Sequence, residues 1–242
     1  MIYHFDILSS TNDEATSDRY TDGDIIVAEH QEAGRGQRGH KWISGQGLNL
    51  TFSAVLTPDS FALRNQFLIS QITALALCDM LKSYSIDARI KWTNDIYIGD
   101  KKIVGILIEN RLAGDFLARS IVGIGLNVNQ IIFDKSLPNP TSMALCVGRE
   151  FKREDVLHSF ERAFAERYAQ MKVGEWEQIH ADYNALLYRV DELHTFRLES
   201  GDTCRGTIRA VEPMGELVVE WECGNVGRYL FKQIEFVIRR PF

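Results

Sequence analysis

The four cysteines, Cys78, Cys146, Cys204 and Cys223, form no C-x-x-C pair, and no His/Cys group has zinc-ligand spacing. That excludes a zinc ribbon or a disulfide scaffold as the organising element and fits reduced thiols. Cys204 and Cys223 fall on neighbouring strand candidates, but no bond between them is expected. Positive charge is also in deficit, with 27 Lys and Arg against 33 Asp and Glu and a net charge of -6. A general nucleic-acid binder shows a basic surface, so any anion site here must be local. No apolar run approaches the roughly 20 residues of a membrane span. The start, "MIYHFDILSSTNDEA", lacks the basic and apolar regions of a secretory signal. The expectation is a cytoplasmic protein without membrane or nucleic-acid partners. No internal repeat or low-complexity tract is present.

What is there is ordinary globular composition: 242 residues, 45% hydrophobic and 25% charged. The length allows one large domain, alone or with a small appendage. "IYHFDIL" and "DIIVAEH" alternate like short strands, and "SSTNDEA" between them has the capping-box spacing of a helix start at Thr11 and Glu14. "LNLTFSAVL" places Leu48, Leu50, Phe52, Ala54 and Leu56 on one face. Residues 61–84 carry Leu68, Ile72, Leu75, Ala76 and Met80 at helical spacing and predict a long core helix. "ARIKW" reads as a strand, "DIYIGDKKIVGILIEN" as a hairpin turning at Gly99-Asp100, and a further turn falls at Gly114-Asp115. Residues 129–141, with two prolines and two asparagines, form a loop. Helical patterns resume over 153–172 and 175–188. Beyond about residue 190, short strands separated by Gly, Asp and Asn turns suggest a small barrel. The pattern therefore predicts an α+β fold: a mixed, mostly antiparallel sheet with helices packed on it, and a boundary near residues 188–192.

Within this chain, "QEAGRGQRGHKW" gathers cations on glycines. Gly34, Gly36 and Gly39 have the G-x-G-x-x-G spacing of a dinucleotide-binding turn. Such a turn must open a helix whose N-terminus holds the pyrophosphate. Here Gly45, Gly47 and a β pattern follow instead, and Asp59 alone stands near the expected acidic position. His40 stands where a Walker loop has its lysine. No carboxylate occurs from residue 33 to residue 58, while Arg35, Arg38 and Lys41 lie close together. Glycines let backbone approach a ligand, arginine forks suit phosphate or carboxylate, and Trp42 offers a flat face. A solvated loop over a buried Trp has the same pattern.

A second constellation is "KWTNDIYIGDKKIVGILIE", residues 91–109. Asn94 and Asp95 follow the strand that ends at Lys91 and Trp92. Gly105 interrupts an apolar run, as glycine does where a ligand or another backbone comes close. With Gly99-Asp100 as the turn, Lys102 lies beside Tyr97 and Ile98, near Asp95 at one sheet end. Lys102 reads equally as an edge-strand lysine that blocks aggregation.

"STN", "GRGQRGHKW", "KWTNDIYIGDKKIVGILIE" and "GIGLNV" occur here in the order found in biotin protein ligases, also called biotin–[acetyl-CoA-carboxylase] ligases. The sequence resembles that family along its length. The resemblance implies a catalytic domain with a class II synthetase-like fold over residues 1–190, and an SH3-like barrel over residues 191–242. It implies that biotin and ATP form biotinyl-5'-AMP, from which biotin passes to a lysine of a biotin carboxyl carrier protein or domain of acetyl-CoA carboxylase and related carboxylases. Lys102 is then expected at the carboxylate and α-phosphate, with Arg35 and Arg38 flanking the acyl-phosphate and ATP. Ser10, Thr11 and Gln31 are expected on the ureido ring, with Asn12, Gly34, Gly36, Gln37 and Gly105 completing the biotin site. Trp42 and Asn127 are expected at the adenine and Asn94 at ATP. Asp95 is assigned to catalysis, either holding Mg²⁺ or orienting the incoming amine. The 129–141 loop resembles the segment that orders over the adenylate.

Two positions depart from the family pattern. Gln37 stands where many members carry a basic residue, which removes a cation beside the adenylate. Thr93 stands where proline is common, which loosens the turn carrying Asn94. The chain starts at the catalytic domain, without the DNA-binding domain of bifunctional members, so no repressor role is expected. The resemblance leaves a homodimer open. A lipoate–protein ligase is the nearest alternative, and a non-catalytic nucleic-acid module built on the small barrel is the alternative of another class.

Overall fold

Alternation along the strands decides which side of the main sheet the helices cover. The computed structural model describes residues 1–39 and 41–237, apart from the side chain of Arg38. Seven strands make the main sheet: β1 Ile2–Leu8, β2 Ile25–Gln31, β3 Leu50–Leu56, β4 Arg89–Lys91, β5 Asp95–Ile98, β6 Lys101–Ala113 and β7 Phe116–Leu126. Their order is β1-β2-β3-β7-β6-β5-β4. Only β1 and β2 pair in parallel. Phe52, Ala54 and Leu56 of β3, Val122, Ile124 and Leu126 of β7, and Val104 and Ile106 of β6 join one apolar cluster. Helices α2 Phe67–Ser83, α4 Arg153–Lys172 and α5 Trp176–Ala185 cover that side. Each fully buried Leu or Ile of α2 contributes about 1.5–3 kcal/mol.

β3 is buried along its whole length, not on one face as the alternation suggested. Its other face lies beneath α1 Thr11–Glu14, where Val55 joins Ala15, Tyr20, Ile26 and Ile121 in a second cluster. α1 is a single turn with Ser10 as its N-cap, and Ser10 makes no side-chain cap bond. The expected capping box does not form, because the Thr11 hydroxyl donates to Gln31 instead. Buried Arg119 ties down the segment after α1, donating to the carbonyls of Ala15, Ser17 and Tyr20 at 3.2, 2.8 and 2.7 Å.

α2 begins later than residue 61. Residues before it bond to the strand hairpin: Leu117 N–H donates to Phe61 O and Leu63 N–H to Asp115 O, both at 2.8 Å. A short helix, α3 Met143–Val147, was not anticipated. Ser142 caps it, and Gly148 ends it in the left-handed region at φ 76°. α4 and the Gly99-Asp100 and Gly114-Asp115 turns lie where the sequence predicts them. All four thiols are free.

The tail forms a second, antiparallel sheet of β8 Leu193–Leu198, β9 Thr203–Val211, β10 Leu217–Trp221, β11 Val226–Tyr229 and β12 Ile234–Phe236. Its order is β11-β10-β9-β8-β12. Phe196, Ile208, Leu217, Val219 and Ile234 from this sheet belong to the main apolar cluster. Polar contacts reinforce the junction. Trp92 Nε1 donates to Gly215 O at 2.9 Å. Asn184 makes two bonds to the Val211 backbone. Arg189 grips both oxygens of Asp100, at 2.8 and 3.0 Å. Among the described residues, no helix is long and apolar enough to cross a membrane.

Candidate active site

The face of the main sheet away from α2 is polar or bare where β3, β7 and β6 run side by side. Period-two alternation gives that face Ser53 from β3, Gly123 and Gly125 from β7, and Gly105, Leu107 and Glu109 from β6. Gly105 and Gly125 are direct cross-strand partners. The Trp42 indole occupies the space that they leave open. A Cβ on Gly125 would fall 2.2 Å from the ring, and one on Gly105 would fall 3.1 Å from it.

The glycine–arginine loop carries Trp42 to this position. Trp42 N–H donates to Gly34 O at 3.0 Å, and Arg35 and Lys41 form a bridge. Gly34 permits the close approach, since a Cβ there would sit 2.9 Å from the Trp42 carbonyl. Among the described residues only one 3-10 turn, Gln37–Gly39, follows, and no α-helix opens here. The dinucleotide-binding reading is therefore excluded. The Trp42 indole N–H is buried without a partner among the described residues.

α1 and the end of β2 supply the wall of the slot. Thr11 donates through its backbone N–H and its hydroxyl to Gln31 Oε1, at 2.7 and 3.2 Å. Asn12 Nδ2 donates to Glu109 Oε2 at 2.6 Å, and Ser53 Oγ lies 2.6 Å from Asn12 Oδ1. Ser10, Thr11 and Asn12 are all buried. The Arg35 guanidinium pairs with Asp13 at 2.8 Å and Glu109 at 3.0 Å. Burial works against its charge, but the two carboxylates outweigh that and hold its pKa above the ordinary value.

Lys102 reaches this face because of a bulge. The pair Ile96↔Val104 is followed by Tyr97↔Lys102, so Ile103 is an extra residue on β6. Without it Lys102 would share the parity of Val104 and Ile106 and point toward the helices. Its ammonium lies 2.6 Å from Asp95 Oδ1 and 5.9 Å from the Trp42 ring centre. Residues 139–141 run alongside: Lys102 N–H donates to Asn139 O, and Thr141 N–H donates to Lys102 O. Asn127 is buried nearby, and its Nδ2 donates to Thr141 O at 2.8 Å. Asn94 is tied twice to Ile106, through its side-chain amide at 2.6 Å and its carbonyl at 2.9 Å. Threonine at position 93 therefore leaves that turn held.

Two cavities meet at Lys102. The inner one, of about 50 Å³, is bordered by Ser10, Thr11, Asn12, Gln31, Arg35 and Gly105. The outer one, of about 720 Å³, lies between Asp95, Asn127, residues 136–140 and the C-terminal residues Phe196, Leu217 and Phe231. Trp42, Asn94, Gly36 and Gln37 border both. Gly34 borders a third groove, together with Arg35, Leu107 and Glu109. The expectation for Arg38 concerns a side chain outside the described residues.

The profile of the biotin/lipoate A/B protein ligase family matches residues 5–127, about half of the chain. The chain belongs to that family. The bifunctional ligase/repressor BirA of Bacillus subtilis (strain 168) is 34% identical over 175 residues, covering 69% of this chain and 53% of that protein. The chain thus spans about half the length of that relative. The biotin–[acetyl-CoA-carboxylase] ligase of Paracoccus denitrificans is 29% identical over 207 residues, covering 83% of this chain and 85% of that one. The solved biotin protein ligase from Aquifex aeolicus in complex with biotin and ATP has a TM-score of 0.83 at 25% identity, covering 99% of both chains.

For this member of the biotin/lipoate ligase family, the motifs left four site-face residues without a role: Ser53, Glu109, Gly123 and Gly125. Gly123 and Gly125 stand two apart in "GIGLNV", and glycine repeated on one face of a strand signals close approach. A Cβ on Gly123 would fall 2.2 Å from Asn12 Oδ1. Ser53 was readable as a polar residue inside an apolar strand. Glu109 closes a quoted motif on the same parity as Gly105.

Proposed function

We propose that the protein activates biotin with ATP and transfers it to a lysine of a biotin carboxyl carrier protein or domain. In the first step a biotin carboxylate oxygen attacks the α-phosphorus of ATP. The bond to the β-phosphate oxygen breaks, pyrophosphate leaves, and biotinyl-5'-AMP forms. In the second step a neutral lysine ε-amine attacks the acyl carbon, and AMP leaves. The observation that carries this reading is the position of Lys102, between a hydrogen-bonding cavity of about 50 Å³ and one of about 720 Å³, within the range of small-molecule sites.

Such chemistry needs positioning and charge neutralisation more than covalent help. Lys102 would offset the repulsion between carboxylate and triphosphate and stabilise charge that develops between them. Thr11, Asn12 and Gln31 would hold the ureido ring, with Ser10 beside them, over the bare floor at Gly105. Gly34, Arg35, Gly36 and Gln37 would close the loop over it. Trp42, Asn94 and Asn127 border the cavity that we assign to ATP, and Arg38 belongs to the same assignment. Among the described residues no His/Cys/Asp/Glu group could hold a resident metal. One carboxylate beside Lys102, Asp95, fits Mg²⁺ that arrives on the triphosphate, because Mg²⁺ takes its other oxygens from phosphates and water. Bound there, the ion would neutralise phosphate charge.

The family name also covers lipoate ligases. The buried polar groups of Thr11, Asn12 and Ser53, with the half-buried Gln31 amide, favour biotin. A dithiolane has nothing to pair with them, whereas a ureido ring donates and accepts. We read residues 1–190 as the catalytic domain and residues 191–242 as a carrier-facing domain, and we expect the protein to act in the cytoplasm on acetyl-CoA carboxylase. The decisive experiment incubates the protein with Mg-ATP, a carrier domain, and biotin or lipoate. A biotin mass increment on one carrier lysine is expected. A lipoyl increment instead, or none, would reject the reading.

A further inference from the structure

We propose that Glu109 is a positioning residue that couples the ureido pocket to the glycine–arginine loop, an assignment that rests on the biotin-adenylating reading above. One hydrogen-bonded chain crosses the site. Gln31 accepts from Thr11. Ser53 Oγ lies 2.8 Å from Thr11 Oγ1 and 2.6 Å from Asn12 Oδ1, bridging the two. Asn12 Nδ2 donates to Leu107 O at 3.3 Å and to Glu109 Oε2 at 2.6 Å. Both Glu109 oxygens then accept from Arg35, at 3.2 and 3.0 Å.

Glu109 fixes two things at once. It fixes the orientation of the Asn12 amide, because a flipped amide would set its oxygen against the carboxylate. Asn12 is 4% exposed, so this orientation is set inside the protein. Together with Asp13, Glu109 also fixes where the loop sits, through Arg35. The loop in turn fixes Trp42, which its backbone bonds to Gly34 and seats on Gly125. A surface ion pair alone contributes little. Here the same carboxylate also holds a buried amide, and a charge-assisted bond to a buried group is the stronger kind. Glu109 therefore ties the pocket amide and the loop arginine to one side chain through two separable contacts.

The test uses Glu109→Ala and Glu109→Gln in the full chain. Glu109 is half-exposed, so both variants should fold, and circular dichroism checks this. Glu109→Ala should raise the KM for biotin in pyrophosphate release by about tenfold. It should also speed hydrogen exchange at residues 34–37 of the ligand-free protein. Glu109→Gln keeps an oxygen for Asn12 but no charge for Arg35. Its KM should return toward wild type while loop exchange stays fast. A merely structural role would move both readouts together. Wild-type KM and loop exchange in folded Glu109→Ala would overturn the coupling while adenylation itself stands, and so would equal KM defects in the two variants. A wild-type protein that releases no pyrophosphate with biotin would overturn the adenylation reading and this assignment with it.

Discussion

The Lys102 ammonium lies 2.6 Å from the Asp95 carboxylate, and the two residues reach that contact from adjacent strands of one hairpin. Asp95 holds Lys102 at the junction of the two cavities. Lys102→Ala should leave the fold intact, since Lys102 pairs with Tyr97 in the sheet and bonds to Asn139 and Thr141 through its backbone. Losing one charge-assisted contact in the transition state should lower adenylation by about 10²–10³. Biotin-dependent pyrophosphate release measures it, and a near-wild-type rate in the folded variant would reject Lys102 as a catalytic residue.

Gly125→Ala tests the seat of Trp42. The added Cβ would lie 2.2 Å from the indole, which must then lift off the sheet. Trp42 belongs to a surface loop, so the melting temperature should change little. A displaced ring should disturb the site by up to about 10²-fold in kcat/KM, as small misplacements do. An alanine variant with wild-type kinetics would show that Trp42 does not need this seat.

Gln37 borders both cavities without a charge. Gln37→Arg should slow release of preformed biotinyl-AMP. The gain should be modest and should shrink as salt rises, because charges near solvent are screened. Release rates at low and high ionic strength decide the point. Faster or unchanged release at low salt would remove position 37 from retention of the intermediate.

At the Gly99-Asp100 turn, the Tyr188 hydroxyl and the Arg189 guanidinium hold the Asp100 carboxyl below the usual carboxylate range. The folded pKa lies under the unfolded one. The stabilisation is therefore present above the ordinary carboxylate value of about 4 and is lost as pH falls through the folded value. The pair is half-exposed, so its contribution should be about 1 kcal/mol or less. Asp100→Asn should lower the melting temperature by about 2–4 °C or less near neutral pH. The difference from wild type should shrink as pH falls below the ordinary carboxylate value of about 4. A difference that does not change with pH would assign the effect to packing.

Much of the site was legible because its residues come in short local runs. Gly34 to Trp42 could be read as an anion-seeking loop from glycine, arginine and missing carboxylates. Asp95, Lys102 and Gly105 could be placed near one another because a two-residue turn fixes a hairpin's register. The apolar alternation of β3 pointed to the covered face, and the succession of strand and helix patterns to the α+β class.

Other features depended on partners distant in sequence. Thr11 has capping-box spacing, yet its hydroxyl goes to Gln31, which the parallel pairing of β1 and β2 brings alongside. Residues 61–66 have helical spacing, yet the hairpin of β6 and β7 takes their backbone bonds.

By itself the sequence determined most of the elements, the gathering of cations on the glycine loop and the family. Those follow from local periodicity, turn chemistry and contiguous motifs. Only the tertiary structure decided that Lys102 faces the site, because one extra residue at Ile103 reverses the side on which it emerges. Only the tertiary structure joined Asn12, Ser53, Glu109 and Arg35 in one network. These four come from a helical turn, two strands and a loop, and register between distant strands sets which of their polar groups meet.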